Sequence, residues 1–169
     1  MVKNRKVVRL VVIALLCALV CVATMVIRIP VPGTSGYINI GDTMIFVSSV
    51  LFGPAAGGLA GAIGSALGDL LGGYPHWMPF TFVIKGLEGL LVGILAHKAF
   101  RAKNGIEWKT VLGVLLGALW MVLGYFVASI FMYGLEAAAL SIPENLIQGG
   151  ASLILSLPLM LALRKLRLS

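Results

Sequence analysis

Long apolar runs separated by short stretches rich in proline, glycine and charge divide this chain. A membrane-spanning helix needs roughly 20 mostly apolar residues, and the first such run extends from Val7 to Ile27. "RIPVPGTSGYINIG", residues 28–41, follows and reads as a loop because of its prolines and glycines. The next apolar stretch, from Asp42 to Gly72, is too long for one span. "FGP" at residues 52–54 breaks it, since proline ends a helix or starts one at its first position. Two spans are predicted there, 42–52 and 54–71, the former so short that it is tilted or buried among its neighbours. "GGYPHWMP" is the next loop, and further spans are predicted at 80–97, 110–133 and 144–163.

Composition places this pattern in a membrane. Hydrophobic residues make up 60% of the 169 positions and charged residues 11%, with a mean hydropathy of +1.05. A soluble domain carries about 25% charged residues. The expected fold is an all-α integral membrane protein, a single domain over residues 1–169 built as a six-helix transmembrane bundle. A net charge of +7 would suit nucleic acid if it formed a continuous patch. Instead the basic residues cluster at Lys3, Arg5, Lys6 and Arg9, at Lys98, Arg101, Lys103 and Lys109, and at Arg164, Lys165 and Arg167. These clusters flank apolar runs, which is the positive-inside pattern, and the nucleic-acid reading fails. Six spans with these flanks put both termini on the cytoplasmic side and the loops after spans one, three and five outside. Cys17 and Cys21 lie one turn apart within the first span and read as small lipid- or helix-facing residues. That span is too long for a signal-peptide core of about 7–15 residues, so it is expected to remain in the mature protein.

Small residues recur at every fourth position in the third span: Ala60, Gly64 and Gly68 on one stripe, Gly57, Gly61 and Ser65 on another. Such stripes let helix backbones approach closely, and tight packing within the protein is their plainest explanation. Ala14 and Ala18 make a similar patch on the first helix, which serves either the protein's own packing or a partner helix.

Polar residues concentrate on one side. Asp42, Asp69, the loop residues Tyr74, His76 and Trp77, the pair Lys85 and Glu88, then Tyr125, Ser129 and Tyr133, and finally Glu144, Asn145 and Gln148 all map to the outer half under this topology. The inner halves hold little besides basic flanks. A mostly apolar site with a few placed polar groups is the make-up of a small-molecule pocket. The members also have plainer readings. Asp42 follows Gly41 and serves equally well as an N-cap. Tyr133 and Trp77 fit an interfacial aromatic belt. Asn145 fits a helix cap or bridge, and Glu136 a solvated loop charge. Lys85 and Glu88, three residues apart, either neutralise each other structurally or sense a ligand. His97, beside Lys98 at the inner end of its helix, reads as an interface residue.

Motifs for chemistry are missing. There is no G-x-x-x-x-G-K-[ST] phosphate loop, no H-E-x-x-H, no cysteine–histidine metal spacing and no G-x-S-x-G. The two histidines lie in an outer loop and at an inner helix end, unsuited to a buried serine–histidine dyad. The expectation is a non-enzyme with no catalytic residues, no cofactor and no metal site.

"INIGDTMIFVSSVLFGPAAGGLAGAIGSALGDLL", residues 38–71, followed by "PFTFVIKGLEGLLVGIL", residues 79–95, resembles the substrate-binding S components of energy-coupling factor (ECF) vitamin importers. The likeness runs from Ala14 through the sixth span. It is most specific at Ile40-Gly41-Asp42, Phe52-Gly53-Pro54 and Lys85-Gly86-Leu87-Glu88-Gly89, and resembles the riboflavin and hydroxymethylpyrimidine branch in particular. Ala14-x-x-x-Ala18 is similar to the motif by which that family's first helix docks on a transmembrane coupling subunit. The resemblance implies a substrate-capture subunit of an ATP-driven importer, multi-pass in the bacterial plasma membrane. Its expected partners are that coupling (T) subunit, two cytoplasmic ATPases, membrane lipid and a vitamin. It also implies an outward-facing pocket and a toppling motion that carries the vitamin inward. The substrate-binding candidates are Asp69, Trp77, Lys85, Glu88, Tyr125, Ser129, Tyr133, Asn145 and Gln148, with a gating loop at Pro32, Gly33, Tyr37 and Asn39 and docking through Ala14 and Ala18. Aromatic faces beside amides and a cation–anion pair suit a hydroxymethylpyrimidine or pyridoxine-like ring first, with riboflavin and pantothenate as alternatives. Lys85 favours an acidic or oxygen-rich ligand unless Glu88 neutralises it. The rival functions are a self-sufficient secondary transporter or channel acting as a homo-oligomer, and a membrane enzyme, which the missing motifs disfavour.

Overall fold

A computed structural model describes residues 4–31, 36–102 and 106–168. Helix α1 (Arg5–Val26) leads into strands β1 (Arg28–Val31) and β2 (Gly36–Asn39), then α2 (Gly41–Phe52) and α3 (Pro54–Leu59). A π-helical turn (Ala60–Gly64) joins α3 to α4 (Ser65–Leu71), and α5 (Met78–Ala102), α6 (Trp108–Tyr133) and α7 (Leu135–Leu168) complete the chain. Of these, α1, α5, α6 and the Leu135–Arg164 part of α7 are long and apolar enough to cross a membrane. The α2 helix and the α3–π–α4 stretch are shorter pieces packed between them.

The segment expected as irregular loop forms an antiparallel hairpin instead. Arg28 pairs with Asn39, Ile29 with Ile38, Pro30 with Tyr37 and Val31 with Gly36. Proline is tolerated there because a two-stranded ribbon leaves every residue at an edge. Arg28 fastens its base: the guanidinium donates to the carbonyls of Thr24 (3.2 Å), Gly72 (3.1 Å) and Gly68 (2.9 Å). A cation is thus set on the open carbonyls at the C-terminus of α4, where the helix dipole favours positive charge.

The Phe-Gly-Pro break works as its chemistry requires. Gly53 has φ of 93°, a left-handed value that glycine adopts at little cost, and Pro54 opens α3 where its missing N–H is not needed. This lets the chain reverse at once, so α2 packs against α1, α3, α5 and α7. Nearly all of α2 from Gly41 to Leu51 is buried. An apolar helix without a polar face suits that central place.

The two small-residue stripes face different neighbours. A Cβ on Gly57 would collide with Ser49 of α2, and one on Gly61 with the main-chain carbonyl of Lys85 in α5. On the other stripe, a Cβ on Gly64 would meet the Cys17 carbonyl at 2.6 Å, and one on Gly68 the Thr24 side chain at 2.8 Å, both in α1. The π turn is therefore pressed between α1 and α5 with backbones in near contact, the arrangement by which helices associate in lipid. Cys17 and Cys21 are both buried against this packing.

Helix α7 begins at Leu135, ahead of the span expected from Glu144, and carries Pro143 and Pro158 inside it. Residues 135–142 are mostly good helix formers, and a proline removes one backbone hydrogen bond without ending the helix here. Gly134, at φ 87°, makes the turn from α6. One apolar cluster holds Phe46, Val50, Val92, Phe100, Val114 and Met160; a second holds Leu16, Val20, Ile45 and Ala60; a third, with Trp77, Ile84 and Met121, lies toward the hairpin.

Candidate functional site

At the hairpin end the helices diverge around a hollow of about 460 Å³, its open mouth included. The hairpin contributes Tyr37 and Asn39 to its wall, α4 contributes Asp69, the turn before α5 Trp77, and the first turn of α5 Thr81. From α6 come Tyr125 and Ser129, one turn apart, and from α7 Ser141, Glu144, Asn145 and Gln148. On α6 and α7 the wall residues recur at i, i+4 spacing, which stacks side chains on one face.

Polar atoms in this wall are organised before any ligand arrives. The Tyr37 hydroxyl donates to Asp69 Oδ1 at 2.5 Å, so hairpin and α4 are joined across the rim. Burial and the adjacent Asp69 carboxylate push the Tyr37 phenol well above its ordinary pKa, so it remains a neutral donor. Thr81 Oγ1 and the Tyr125 hydroxyl lie 3.0 Å apart. The rings of Trp77 and Tyr125 meet edge to face with centroids 5.7 Å apart, the geometry that aromatic quadrupoles prefer. Arg28 sits over the Tyr37 ring at 5.0 Å, and Tyr37 leans on Tyr74 at 4.7 Å. Asn145 Nδ2 donates to the Ser141 carbonyl at 2.9 Å.

Below the hollow lies a buried ionic cluster. Lys85 Nζ is bonded to Asp42 Oδ1 and stands 3.1 Å from Glu88 Oε2, and none of the three residues is more than 2% exposed. Lys85 also lies 5.4 Å from the Tyr125 ring centroid. The expected Lys85–Glu88 pair is present; neither residue is in the wall of the hollow, and the pair lies beneath it. Asp42 of α2 binds the same ammonium from the other side. Asp42 is not an N-cap: Ile40 holds that position, and Asp42, in the first turn, spends its two oxygens on Lys85 and on Gln148 Nε2 (2.9 Å).

The remaining expected site residues divide as follows. Asp69, Trp77, Tyr125, Ser129, Asn145, Gln148, Tyr37 and Asn39 surround the hollow. Tyr133 stays outside its wall, 39% exposed, with its ring 5.9 Å from that of Trp77; it lies one turn past Ser129 on the same face, at the last residue of α6. Pro32 and Gly33 lie outside the described residues. Ala14 and Ala18 are exposed on α1. Thr81 and Ser141 were missed, although each stands one turn before a residue already singled out, Lys85 and Asn145 respectively. Among the described residues no group of three or more His, Cys, Asp or Glu could hold a metal.

Comparison with known proteins follows this geometry. The profile described as "ECF-type riboflavin transporter, S component" matches residues 4–165. A Pyrococcus woesei protein named "Uncharacterized protein in gap 3'region" is 42% identical over 137 residues, covering 80% of this chain and 88% of its own. "Thiamine precursor transporter HmpT" of Lactococcus lactis subsp. cremoris is 29% identical over 146 residues, covering 86% of this chain and 81% of its own.

Proposed function

Because the chain belongs to the S component family of ECF-type riboflavin transporters, we propose that it captures a small heteroaromatic vitamin precursor in the hollow beneath its hairpin. A role in vitamin or precursor uptake, rather than in catalysis, follows from family membership. The particular reading rests on one observation: a hollow lined by ring faces and hydrogen-bonding groups, with the hairpin forming part of its wall. In this reading six segments cross the membrane, the three longest-separated basic clusters mark the cytoplasmic side, and the hollow opens outward. Asp69, Trp77, Tyr125, Ser129, Asn145 and Gln148 bind the ligand, and the hairpin, through Tyr37 and Asn39, covers it.

Charge narrows the ligand. Among the described residues the wall contains the carboxyl groups of Asp69 and Glu144 and no lysine, arginine or histidine, while Lys85 is engaged by two carboxylates underneath. Such a site favours a ring that donates hydrogen bonds or carries positive charge and disfavours an anion. An amino-substituted pyrimidine of the hydroxymethylpyrimidine kind fits best, in keeping with the name of the Lactococcus relative. Pantothenate, an anion, fits poorly. Riboflavin is the second reading, favoured by the description of the matching family.

Delivery then requires partners: a transmembrane coupling subunit reached through the exposed Ala14 and Ala18, and two ATPases that supply the energy this chain has no motif to harness. Denaturing the purified protein and identifying the released molecule by mass spectrometry tests the ligand, with an aminopyrimidine expected and an anionic compound refuting the charge argument. Uptake by liposomes holding this chain alone, driven by a proton or sodium gradient, would refute the dependence on partners and favour a self-sufficient transporter.

A further inference from the structure

One polar chain runs from the hairpin to the buried ions. The backbone N–H of Asn39 donates to Gln148 Oε1 at 2.8 Å, and Asn39 Nδ2 approaches the same oxygen at 3.3 Å. The other end of that side-chain amide, Nε2, donates to Asp42 Oδ2 at 2.9 Å. Asp42 Oδ1 is held by Lys85, which Glu88 flanks at 3.1 Å. Asn39 Oδ1 accepts from the Gly41 N–H at 2.8 Å, which fixes the side chain from the α2 side.

Donor and acceptor chemistry allows this chain one orientation. An ionised carboxylate only accepts, so the NH₂ of Gln148 must face Asp42, and its oxygen is left for the two donors of Asn39. Reversing the amide would set oxygen against carboxylate and NH₂ against N–H, unfavourable at both ends. Gln148 is 3% exposed and Asp42 0%, so water does not compete for the bond between them and an unmatched group there carries its full desolvation cost. Lys85 lies against the other oxygen of Asp42.

The geometry points to Gln148 as the latch that holds the hairpin over the hollow, with Asp42 and Lys85 as positioning residues that set the latch from below. This rests on reading the hollow as the ligand site, because only then does the latch govern ligand exchange. Its chemistry assigns the buried ions a role that contact with the ligand would not: the charge under the floor dictates which way the latch can bond.

A role swap tests this. In Gln148→Glu two carboxylates face each other, and in Asp42→Asn the acceptor that orients the latch is weakened; each should release the hairpin. In the double variant the introduced amide donates to the introduced carboxylate, which in turn accepts from Asn39, so the latch is rebuilt with exchanged roles and the same net charge. Hydrogen exchange of the segment 36–40, read by mass spectrometry on ligand-free protein in detergent, is expected to quicken about tenfold in Gln148→Glu, the worth of roughly one or two buried hydrogen bonds. It should return to within about twofold of the original in the double variant, while exchange in α5 stays unchanged. A purely structural defect would be worsened by the second substitution, so failure of the double variant to regain protection, or to fold, overturns the latch. Unchanged exchange in Gln148→Glu overturns it as well. Because no ligand is present, a wrong assignment of the ligand leaves this result standing, and a wrong latch leaves the mass-spectrometric identification standing.

Discussion

Lys85→Met separates a structural ammonium from a ligand-sensing one. In the native protein Asp42 and Glu88 share this single cation, so the cluster sums to −1 when all three groups are ionised, and all three are buried. Removing the cation leaves two carboxylates near each other in low dielectric. Breaking a buried ion pair from one side costs about 3–5 kcal/mol, and for a chain of this length each kcal/mol shifts the melting temperature by about 2–4 °C. The expected fall is on the order of 10 °C, measured by thermal unfolding in detergent with tryptophan fluorescence as the signal. Two companions fix the interpretation. Glu88→Gln keeps the Lys85–Asp42 pair and removes the surplus negative charge, so it should change stability by less than about 1 kcal/mol. Combining Lys85→Met with Asp42→Asn and Glu88→Gln should recover most of the loss, since an uncharged cluster has no unpaired ion to bury. A folded Lys85→Met protein melting within about 2 °C of the original would refute the structural role. If its ligand affinity fell instead, the ammonium would have to reach into the hollow, contrary to the geometry.

Four other variants probe separate parts. Tyr37→Phe loses a hydrogen bond to a carboxylate at the rim, a charge-assisted bond of about 1.5–3 kcal/mol, and ligand affinity measured by Trp77 fluorescence should fall about tenfold or more. The same variant should soften the loss of stability in alkali. The Tyr37 pKa is raised on folding, so its contribution is complete below the unfolded value of about 10 and declines as pH climbs above it; melting scans from pH 9 to 11 read the difference. Gly89→Ala would drive a Cβ into the main chain of Gly57 and should cost about 1–3 kcal/mol by thermal unfolding. Gly150→Ala, with nothing within 4 Å of the added carbon, should be neutral or slightly stabilising. Ala14→Leu with Ala18→Leu, on the exposed side of α1, should leave ligand binding unchanged and abolish co-purification of a coupling subunit.

The apolar runs, the Phe-Gly-Pro reversal and the gathering of Asp69, Trp77, Tyr125, Ser129, Asn145 and Gln148 at one end were legible in the chain. Hydrocarbon makes outward-facing polar groups costly, so once the helices are counted such residues have few places to go. Less could be read where partners are distant in sequence. Asp42 lies 43 positions from Lys85, and no local spacing reveals that it binds the same ammonium as Glu88. The hairpin was hidden for a related reason: its strands are four residues each, too short for alternation to stand out among prolines and glycines. The shortness of α2 pointed to a helix either tilted or buried among its neighbours, and composition could not choose between the two, because an apolar surface facing protein and one facing lipid have the same composition.

The distribution of polar bonds also decides which part of the molecule gives way first. Beneath the hollow, Lys85 and Glu88 on α5 are tied to Asp42 on α2 by charge, and Gln148 joins α7 to the same cluster; pulling these helices apart would leave ions unpaired at several kcal/mol. The hairpin, by contrast, is fastened by the Tyr37–Asp69 bond, the Asn39–Gln148 latch and the Arg28 contacts at its base. Each of the two rim bonds contributes about 0.5–3 kcal/mol net, and the Arg28 bonds lie at the pivot, where they survive a swing of the strands. With the hairpin read as the cover of the hollow, opening is expected to release Tyr37 and Asn39 while the helices keep their packing. On that reading the ligand's bonds to the wall and the rim bonds of Tyr37 and Asn39 close the cover together, so ligand exchange waits on hairpin release.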